Sequence, residues 1–148
     1  MPAKGTIVLT GANGGIGSAI VSRIMSSPEL SSYHGIYTVR NASSYTPPLQ
    51  EASHVYDVIS LELSSLANVR AAAATINARV AAGEIPPIRA LILNAAFHEM
   101  DAQRFTDDGF ATVFMVSYLS QWLLTLLLLQ SMDREMGRVV VLGSRTHK

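Results

Sequence analysis

The 148-residue sequence has no cysteine and few charged residues. Without cysteine the chain has no disulfide framework, no thiolate metal site and no cysteine nucleophile, which suits a reducing compartment and makes the cytoplasm the default location. Its four histidines show no metal-ligand spacing, so no metal site is expected. The 11 basic and 11 acidic residues cancel and form no basic block. Because nucleic-acid binding needs a positive patch, we expect no nucleic-acid partner.

The sequence also lacks the signature of a secretory signal or a membrane span. MPAKG passes directly into the short apolar run TIVLT, without a charged leader or a cleavage site. The stretch 113–129 approaches transmembrane length, but it contains Ser117, Gln121 and Thr125, and acidic residues precede it. A span needs about 20 apolar residues, so we expect a buried core helix and no membrane partner.

Apolar runs and helical patterns alternate along the chain. Strands are predicted at residues 6–10, 35–39, 55–61, 88–93 and 138–142, and helices at about 16–26, 64–83 and 107–136. Residues 41–48 are predicted to form a loop or a short irregular helix. Near-continuous apolar strands that alternate with helices form a parallel sheet covered on both faces. The sequence therefore predicts one α/β domain, residues 1–148, with a doubly wound, Rossmann-like parallel sheet.

A glycine-rich turn lies between the first strand and the first helix. Glycines allow the backbone to approach a pyrophosphate closely, and the start of a helix offers free N–H groups and a positive dipole end. No Gly-Lys-Ser/Thr follows, which excludes a Walker-type phosphate loop. We therefore predict a dinucleotide site at this turn, with a glycine-rich turn that binds no ligand as the alternative.

The turn resembles the cofactor motif Thr-Gly-x-x-x-Gly-x-Gly of the short-chain dehydrogenase/reductase family, which Thr10, Gly11, Gly15 and Gly17 match. The glycines alone also fit the spacing of the extended branch of that family. The segment 93–96, Leu-Asn-Ala-Ala, favours the classical type, because it resembles the Asn-Asn-Ala-Gly that steadies the central sheet beside the cofactor. The chain is thus similar to the N-terminal, cofactor-binding portion of the family.

Arg40, at the end of the second strand, favours NADP over NAD. A carboxylate there would bind the ribose hydroxyls of NAD, but no Asp or Glu occurs between Glu29 and Glu51. A guanidinium forks onto a phosphate and stacks on adenine. The alternative is a solvated arginine at a strand end.

Glu62 and Leu63 resemble the Asp-Leu of the family, whose acidic residue meets the adenine amino group. A surface glutamate near the start of a helix, favoured by the helix dipole, explains Glu62 equally well. The full set of predicted cofactor-binding residues is Thr10, Gly11, Asn13, Gly15, Ile16, Gly17, Arg40, Glu62, Leu63, Asn94, Ala95 and Ala96.

The catalytic positions implied by the resemblance are only partly present. Ser144 matches the catalytic serine, which holds the substrate carbonyl. Ser117 stands where the family has an asparagine that supports a proton-relay water, so a weaker relay is expected. No tyrosine of this sequence has a lysine four residues on, and the sequence ends at Lys148, so the Tyr-x-x-x-Lys of the family is absent. We therefore expect a chain truncated after its fifth strand, with an exposed apolar edge at residues 139–142.

The resemblance implies an oxidoreductase that uses NADP, in preference to NAD, to interconvert a small-molecule carbonyl and an alcohol. This chain alone is expected to be inactive, because the tyrosine and lysine are missing. A non-catalytic nucleotide-binding or partner-binding module is the alternative, and a methyltransferase-like or sugar-nucleotide fold is a weaker one. The family forms homo-oligomers through the helix that contains Trp122, but the sequence leaves the oligomeric state open.

Overall fold

The computed structural model describes residues 3–48 and 53–144, and a five-stranded parallel sheet lies at its centre. The strands are β1 (Thr6–Thr10), β2 (His34–Val39), β3 (Tyr56–Ser60), β4 (Ile88–Leu93) and β5 (Arg138–Val141). Their order is β3-β2-β1-β4-β5, and each neighbouring pair is parallel. The predicted Rossmann-like sheet is confirmed. Its order reverses between β1 and β4, where open α/β sheets bind ligands beyond the carboxyl ends of the strands.

Three helices connect the strands, and two short 3₁₀ turns flank β2. The helices are α1 (Gly15–Ser26), α2 (Leu66–Ala81) and α3 (Thr112–Ser131), and the 3₁₀ turns are Leu30–Ser32 and Ala42–Ser44. Ser65 caps the start of α2, because its hydroxyl accepts the Asn68 amide at 3.3 Å. His147 and Lys148, which the sequence analysis considered, lie outside the described residues.

Helix α3 is shorter than the predicted helix 107–136. Residues 105–111 form a tight turn instead of helix, in which Phe105 bridges Ala111 and the Thr106 amide donates to the Phe110 carbonyl. At the other end, Met132 is extended and forms a bridge with Ile88 at the start of β4. These two β-bridges therefore limit the helix at both ends, although the sequence pattern is helical beyond them.

The third helix is also irregular. It consists of α-helix (Thr112–Phe114), a π-helical turn (Met115–Leu119), α-helix (Ser120–Leu128) and a 3₁₀ turn (Leu129–Ser131). The π turn holds one extra residue, so the buried face steps by five residues from Met115 to Ser120 and then by four to Leu124 and Leu128.

By length and composition, α3 is apolar enough to cross a membrane, and 33% of its most apolar 18-residue window is buried. One face packs against α2, while five large apolar side chains on the other face are exposed: Phe114, Tyr118, Trp122, Leu126 and Leu129. The predicted buried core helix is therefore correct for one face only.

The apolar core has two clusters, one on each face of the sheet. Successive residues of a strand point to opposite faces, so Val8 joins the cluster that α2 and α3 cover. Ile7 and Leu9 join the other cluster, where Val21 and Ile24 of α1 pack on them. Strand β1 is thus buried on both faces of the sheet. This packing holds in place the carboxyl end of β1, where the glycine turn begins.

Strand β5 forms one edge of the sheet and is exposed along its whole length. The relative exposures of Val139, Val140 and Val141 are 41%, 44% and 71%. The expected apolar edge is therefore found at these three valines, while Leu142 is only partly exposed.

His54 fastens the segment before β3 to β2. Its Nδ1 lies 3.1 Å from the Ser31 carbonyl, which can only accept, so this nitrogen carries the proton. Nε2 then accepts from the Tyr37 hydroxyl at 2.7 Å. Burial raises the pKa of Tyr37, which keeps the phenol protonated as this hydrogen bond requires. The imidazole is buried and stacks on Tyr56, so this arrangement suits only the neutral ring.

We predict that His54 makes the fold less stable in mild acid. Burial lowers the pKa of His54 below its ordinary value of 6.5, and the nearby His34 adds to the effect. The unfolded chain therefore takes up a proton first as the pH falls below about 6.5, and the unfolding free energy decreases by up to about 1.4 kcal/mol per pH unit.

Urea unfolding between pH 5 and pH 8 measures this slope. His54→Asn is expected to flatten it, and His98→Asn, which replaces an exposed histidine in the loop after β4, is the control variant. Equal slopes in the wild type and His54→Asn would contradict the prediction.

Candidate functional site

A cavity of about 630 Å³ lies at the carboxyl edge of the sheet, where the strand order reverses. The lining comes from the glycine turn, the ends of β2, β3 and β4, and the first turns of α3. Eleven of the twelve predicted cofactor-binding residues line it: Gly11, Asn13, Gly15, Ile16, Gly17, Arg40, Glu62, Leu63, Asn94, Ala95 and Ala96. Thr10 is the exception, because its side chain is fully buried behind the cavity wall.

The glycine turn packs so closely on its surroundings that side chains are excluded at two positions. Gly11 has a φ of +69°, and a Cβ there would lie 3.0 Å from Ala95. A Cβ on Gly17 would lie 2.0 Å from the Gly11 carbonyl oxygen. By contrast, a Cβ on Gly15 would meet nothing within 4 Å, since this residue borders the cavity. The first amides of α1, which lack acceptors within the helix, therefore stand at an open space.

Thr10 joins the ends of β1 and β4 through its hydroxyl. The hydroxyl accepts the Asn94 and Ala95 amides, each at 3.0 Å. The Asn94 side chain returns to β1 by donating to the carbonyls of Thr10 and Gly11 at 3.0 and 3.1 Å. The two predicted motifs are thus linked directly, and Thr10 supports the cavity without facing it.

Gln121 of α3 completes this junction, and sequence reasoning missed it. Its Oε1 accepts from the Thr10 hydroxyl at 3.3 Å, and its Nε2 donates to the Ala95 carbonyl at 2.7 Å. The available signal was a polar residue within the apolar run SQWLLTLLLL. Eight residues of the cavity lining are also outside the predicted set: Gly14, Thr38, Val39, Leu61, Ser64, Phe97, Thr112 and Val116.

The turn after β3 is held by its own side chains. Glu62 accepts from both the amide and the hydroxyl of Ser64 through Oε1, at 3.0 and 2.8 Å. Asn68 accepts the Glu62 amide at 2.7 Å. In residues 61–66, the Leu63 amide is the only N–H that no described residue accepts. This turn therefore presents to the cavity a free backbone donor and a carboxylate with one oxygen still available.

Arg40 lies directly after β2 and is exposed at the cavity. Within residues 3–48 and 53–144, no carboxylate pairs with its guanidinium. The following turn is rigid, because Asn41 Oδ1 accepts from the amide and the hydroxyl of Ser43 at 3.1 and 2.6 Å. The cation therefore stands beside the cavity on a fixed backbone.

The model of the family described as short chain dehydrogenase matches residues 5–148. This chain belongs to the short-chain dehydrogenase family. The short-chain dehydrogenase iccH of Talaromyces variabilis is 52% identical over 156 residues, which cover 100% of this chain and 43% of the relative. Protochlorophyllide reductase A of Arabidopsis thaliana is 31% identical over 97% of this chain and 35% of its own length. The chain thus spans less than half the length of both relatives.

Solved structures show the same fold. An oxidoreductase of the short chain dehydrogenase/reductase family from Brucella ovis, in complex with a partially ordered NAD, is 27% identical with a TM-score of 0.69. The alignment covers 91% of this chain and 60% of that one. A short-chain dehydrogenase from Streptomyces avermitilis has a TM-score of 0.75 at 22% identity, over 97% of this chain and 50% of that one.

In this short-chain dehydrogenase chain, Ser117 contacts the backbone of the loop after β4. Its hydroxyl accepts the Phe97 amide at 3.1 Å and donates to the Phe97 carbonyl at 3.2 Å. The π-helical turn of α3 contains Ser117, so the irregular part of the helix is the part that meets this loop. Ser117, which is predicted to take the asparagine position of the family, therefore braces a lining residue of the cavity.

The loop before α3 is fixed to the start of α2. The Asp108 carboxylate accepts the Leu66 amide at 2.9 Å. Asp108 thus caps a helix whose first residue lies 42 positions earlier in the sequence. The contact brings the loop up to the turn that contains Glu62.

Ser144, the predicted catalytic serine, follows β5 at the carboxyl edge of the sheet and is exposed. The cavity lining, as far as the described residues form it, does not include Ser144. Ser144 therefore shares the sheet edge with the cavity, and its role stays a prediction.

We predict opposite effects for alanine at two glycines of the turn. Gly17→Ala places a methyl group against the Gly11 carbonyl, so it should lower the unfolding free energy by about 1–3 kcal/mol or more. Gly15→Ala meets no atom and should leave the stability nearly unchanged, but its methyl group borders the cavity and should weaken ligand binding. Thermal unfolding of both variants beside the wild type checks this. Equal stability of the two variants would show that the turn tolerates a side chain at residue 17.

Proposed function

We propose that this chain is the cofactor-binding portion of an NADP-preferring short-chain dehydrogenase/reductase that interconverts a carbonyl compound and an alcohol. The observation that carries the proposal is the cavity, where a helix start, the Arg40 cation and the Leu63 backbone donor meet, the last two without a partner among the described residues. Each of these groups suits a different part of a dinucleotide. A bound nicotinamide dinucleotide supplies or accepts a hydride, and the chain supplies its position.

The pyrophosphate fits the start of α1. Gly14 precedes the helix without a side-chain cap, so the first-turn amides are left for a ligand. The positive end of the helix dipole favours an anion there. The open space at Gly15 admits the phosphate oxygens, since no side chain stands in their way.

The adenosine end fits the region between β2 and β3. The free Leu63 amide is a donor for a ring nitrogen of adenine, and the second carboxylate oxygen of Glu62 is an acceptor for its amino group. Arg40 provides a planar cation for the additional phosphate that distinguishes NADP from NAD. No described carboxylate pairs with Arg40, which supports this assignment.

We propose that catalysis belongs to the whole protein and that this chain alone binds cofactor without turnover. Ser144 would hold the substrate carbonyl by a hydrogen bond. The proton for the alcohol oxygen would come from the Tyr-x-x-x-Lys of the family, and no such pair occurs in these 148 residues. The Brucella oxidoreductase, whose structure holds NAD, supports a nicotinamide cofactor for this chain as well.

Removal of the Arg40 cation tests the cofactor preference. Arg40→Ala is expected to weaken NADPH binding by roughly 10- to 150-fold, because charge-assisted hydrogen bonds contribute about 1.5–3 kcal/mol each. Binding of NADH should change little, since NADH lacks the additional phosphate. Isothermal titration calorimetry with both cofactors measures the two affinities.

Arg23→Ala is the matched control, because Arg23 lies in the last turn of α1, away from the cavity lining. It should bind both cofactors as the wild type does. An equal loss of NADPH and NADH affinity in Arg40→Ala would refute the NADP preference and leave the dinucleotide site itself intact.

A further inference from the structure

Gln121 is a buried polar residue in the middle of α3, with 5% relative exposure. Its side-chain amide lies where the carboxyl ends of β1 and β4 meet, behind the cavity. We infer that Gln121 is a positioning residue for the dinucleotide cavity and that its neutral amide sets the place of Ala95 in the cavity wall. The inference rests on the proposed function, and it names a residue outside the motifs that suggested that function.

The hydrogen bonds at Thr10 require an acceptor such as Gln121. The Thr10 hydroxyl accepts two backbone amides, so both of its lone pairs are used. Its proton must then go to a different acceptor, and among the described residues Oε1 of Gln121 accepts it, at 3.3 Å. Without this acceptor the hydroxyl would be a buried donor without a partner, which proteins rarely tolerate.

The second half of the Gln121 amide closes a ring of hydrogen bonds. Nε2 donates to the Ala95 carbonyl at 2.7 Å, and the Ala95 amide donates to the Thr10 hydroxyl. The ring therefore runs from Thr10 through Gln121 to Ala95 and back. It holds both the N–H and the C=O of Ala95, which leaves that peptide segment little freedom.

Ala95 is the point where the ring meets the cavity. It lines the cavity, and it lies so close to Gly11 that a Cβ on that glycine would touch it at 3.0 Å. A shift of Ala95 would therefore move the wall after β4 and the glycine turn together. Asn94 transmits the same shift, because its side chain donates to the Gly11 carbonyl.

To close the ring, the side chain at this position must accept a hydrogen bond from the Thr10 hydroxyl and donate one to the Ala95 carbonyl. Leucine can do neither, and it would leave the Thr10 proton and the Ala95 carbonyl without their partner. An ionised glutamate can accept from Thr10 but has no proton for the Ala95 carbonyl, and it would place a negative charge against that oxygen. A protonated glutamate restores both hydrogen bonds with the same shape. In Gln121→Glu the ring of hydrogen bonds, and with it the position of Ala95, should therefore depend on pH.

The experiment compares the 148-residue wild type with Gln121→Glu, Gln121→Leu and Gln130→Glu. Gln130 is an exposed residue near the end of the same helix. Gln130→Glu is therefore the control, because it makes the same substitution away from the ring. Isothermal titration calorimetry with NADPH between pH 5.5 and pH 8 gives the affinity. Circular dichroism at each pH gives the folded fraction. The side-chain hydrogen bonds of Gln121 are with Thr10 and Ala95, which do not titrate. The carboxylate in the cavity lining, Glu62, is common to all four proteins.

Burial raises the pKa of a carboxyl group, so glutamate at position 121 should be protonated at the acid end of this range. We expect Gln121→Glu to bind NADPH about tenfold or more weakly at pH 8 and to approach the wild type at pH 5.5. Gln121→Leu should bind weakly throughout, and Gln130→Glu should follow the wild type. If the leucine variant fails to fold, the recovery of the glutamate variant in acid still supports the inference.

Three results would overturn the inference, and they can be told apart. NADPH binding by both Gln121→Glu and Gln121→Leu that equals the wild type at every pH would mean that the ring does not position Ala95. A pH-dependent loss of stability with unchanged affinity of the folded fraction would make Gln121 a purely structural residue. Absence of NADPH binding by the wild type itself would reject the proposed function, and the inference with it.

Discussion

The hydroxyl of Thr10 holds the carboxyl ends of β1 and β4 together, and the cavity depends on that junction. The parallel ladder between these strands ends at the pair Leu9 and Ile92, so backbone pairing alone does not reach the loops beyond. Beyond that pair, side-chain hydrogen bonds connect the two loops. The Thr10 hydroxyl and the Asn94 amide group hold the two loops against each other. The glycine turn and the segment after β4 thereby act as one rigid wall, although 83 residues separate them in the sequence.

Helix α3 supports this wall from behind and also reaches the neighbouring loops. Gln121 contacts the junction itself, Ser117 holds the backbone of Phe97, and the Ser120 hydroxyl donates to the Leu63 carbonyl at 2.6 Å. Three polar residues on one apolar helix thus contact three sections of the cavity wall. This arrangement explains why polar groups occur in a segment whose composition resembles that of a membrane span.

Local sequence patterns predict the strands, the glycine turn and the lining residues next to them. A short apolar run or a glycine spacing involves only residues that are close together in the sequence. The limits of α3 do not, since the bridges of Phe105 with Ala111 and of Met132 with Ile88 depend on distant parts of the chain. The same holds for Gln121, whose partners are known only once β1, β4 and α3 have come together. Thr10 was assigned to the site by its motif, but only the fold shows that it lies behind the cavity.

Because of the π-helical turn at Met115–Leu119, the number of residues in this helix determines how its two ends are rotated relative to each other. Loss of one residue there would restore regular α-helix, and since each residue turns an α-helix by about 100°, one end would rotate relative to the other by that angle. Either Ser117 would leave Phe97, or Gln121 would leave the strand ends. Single-residue deletions in this turn should therefore be rare among related sequences.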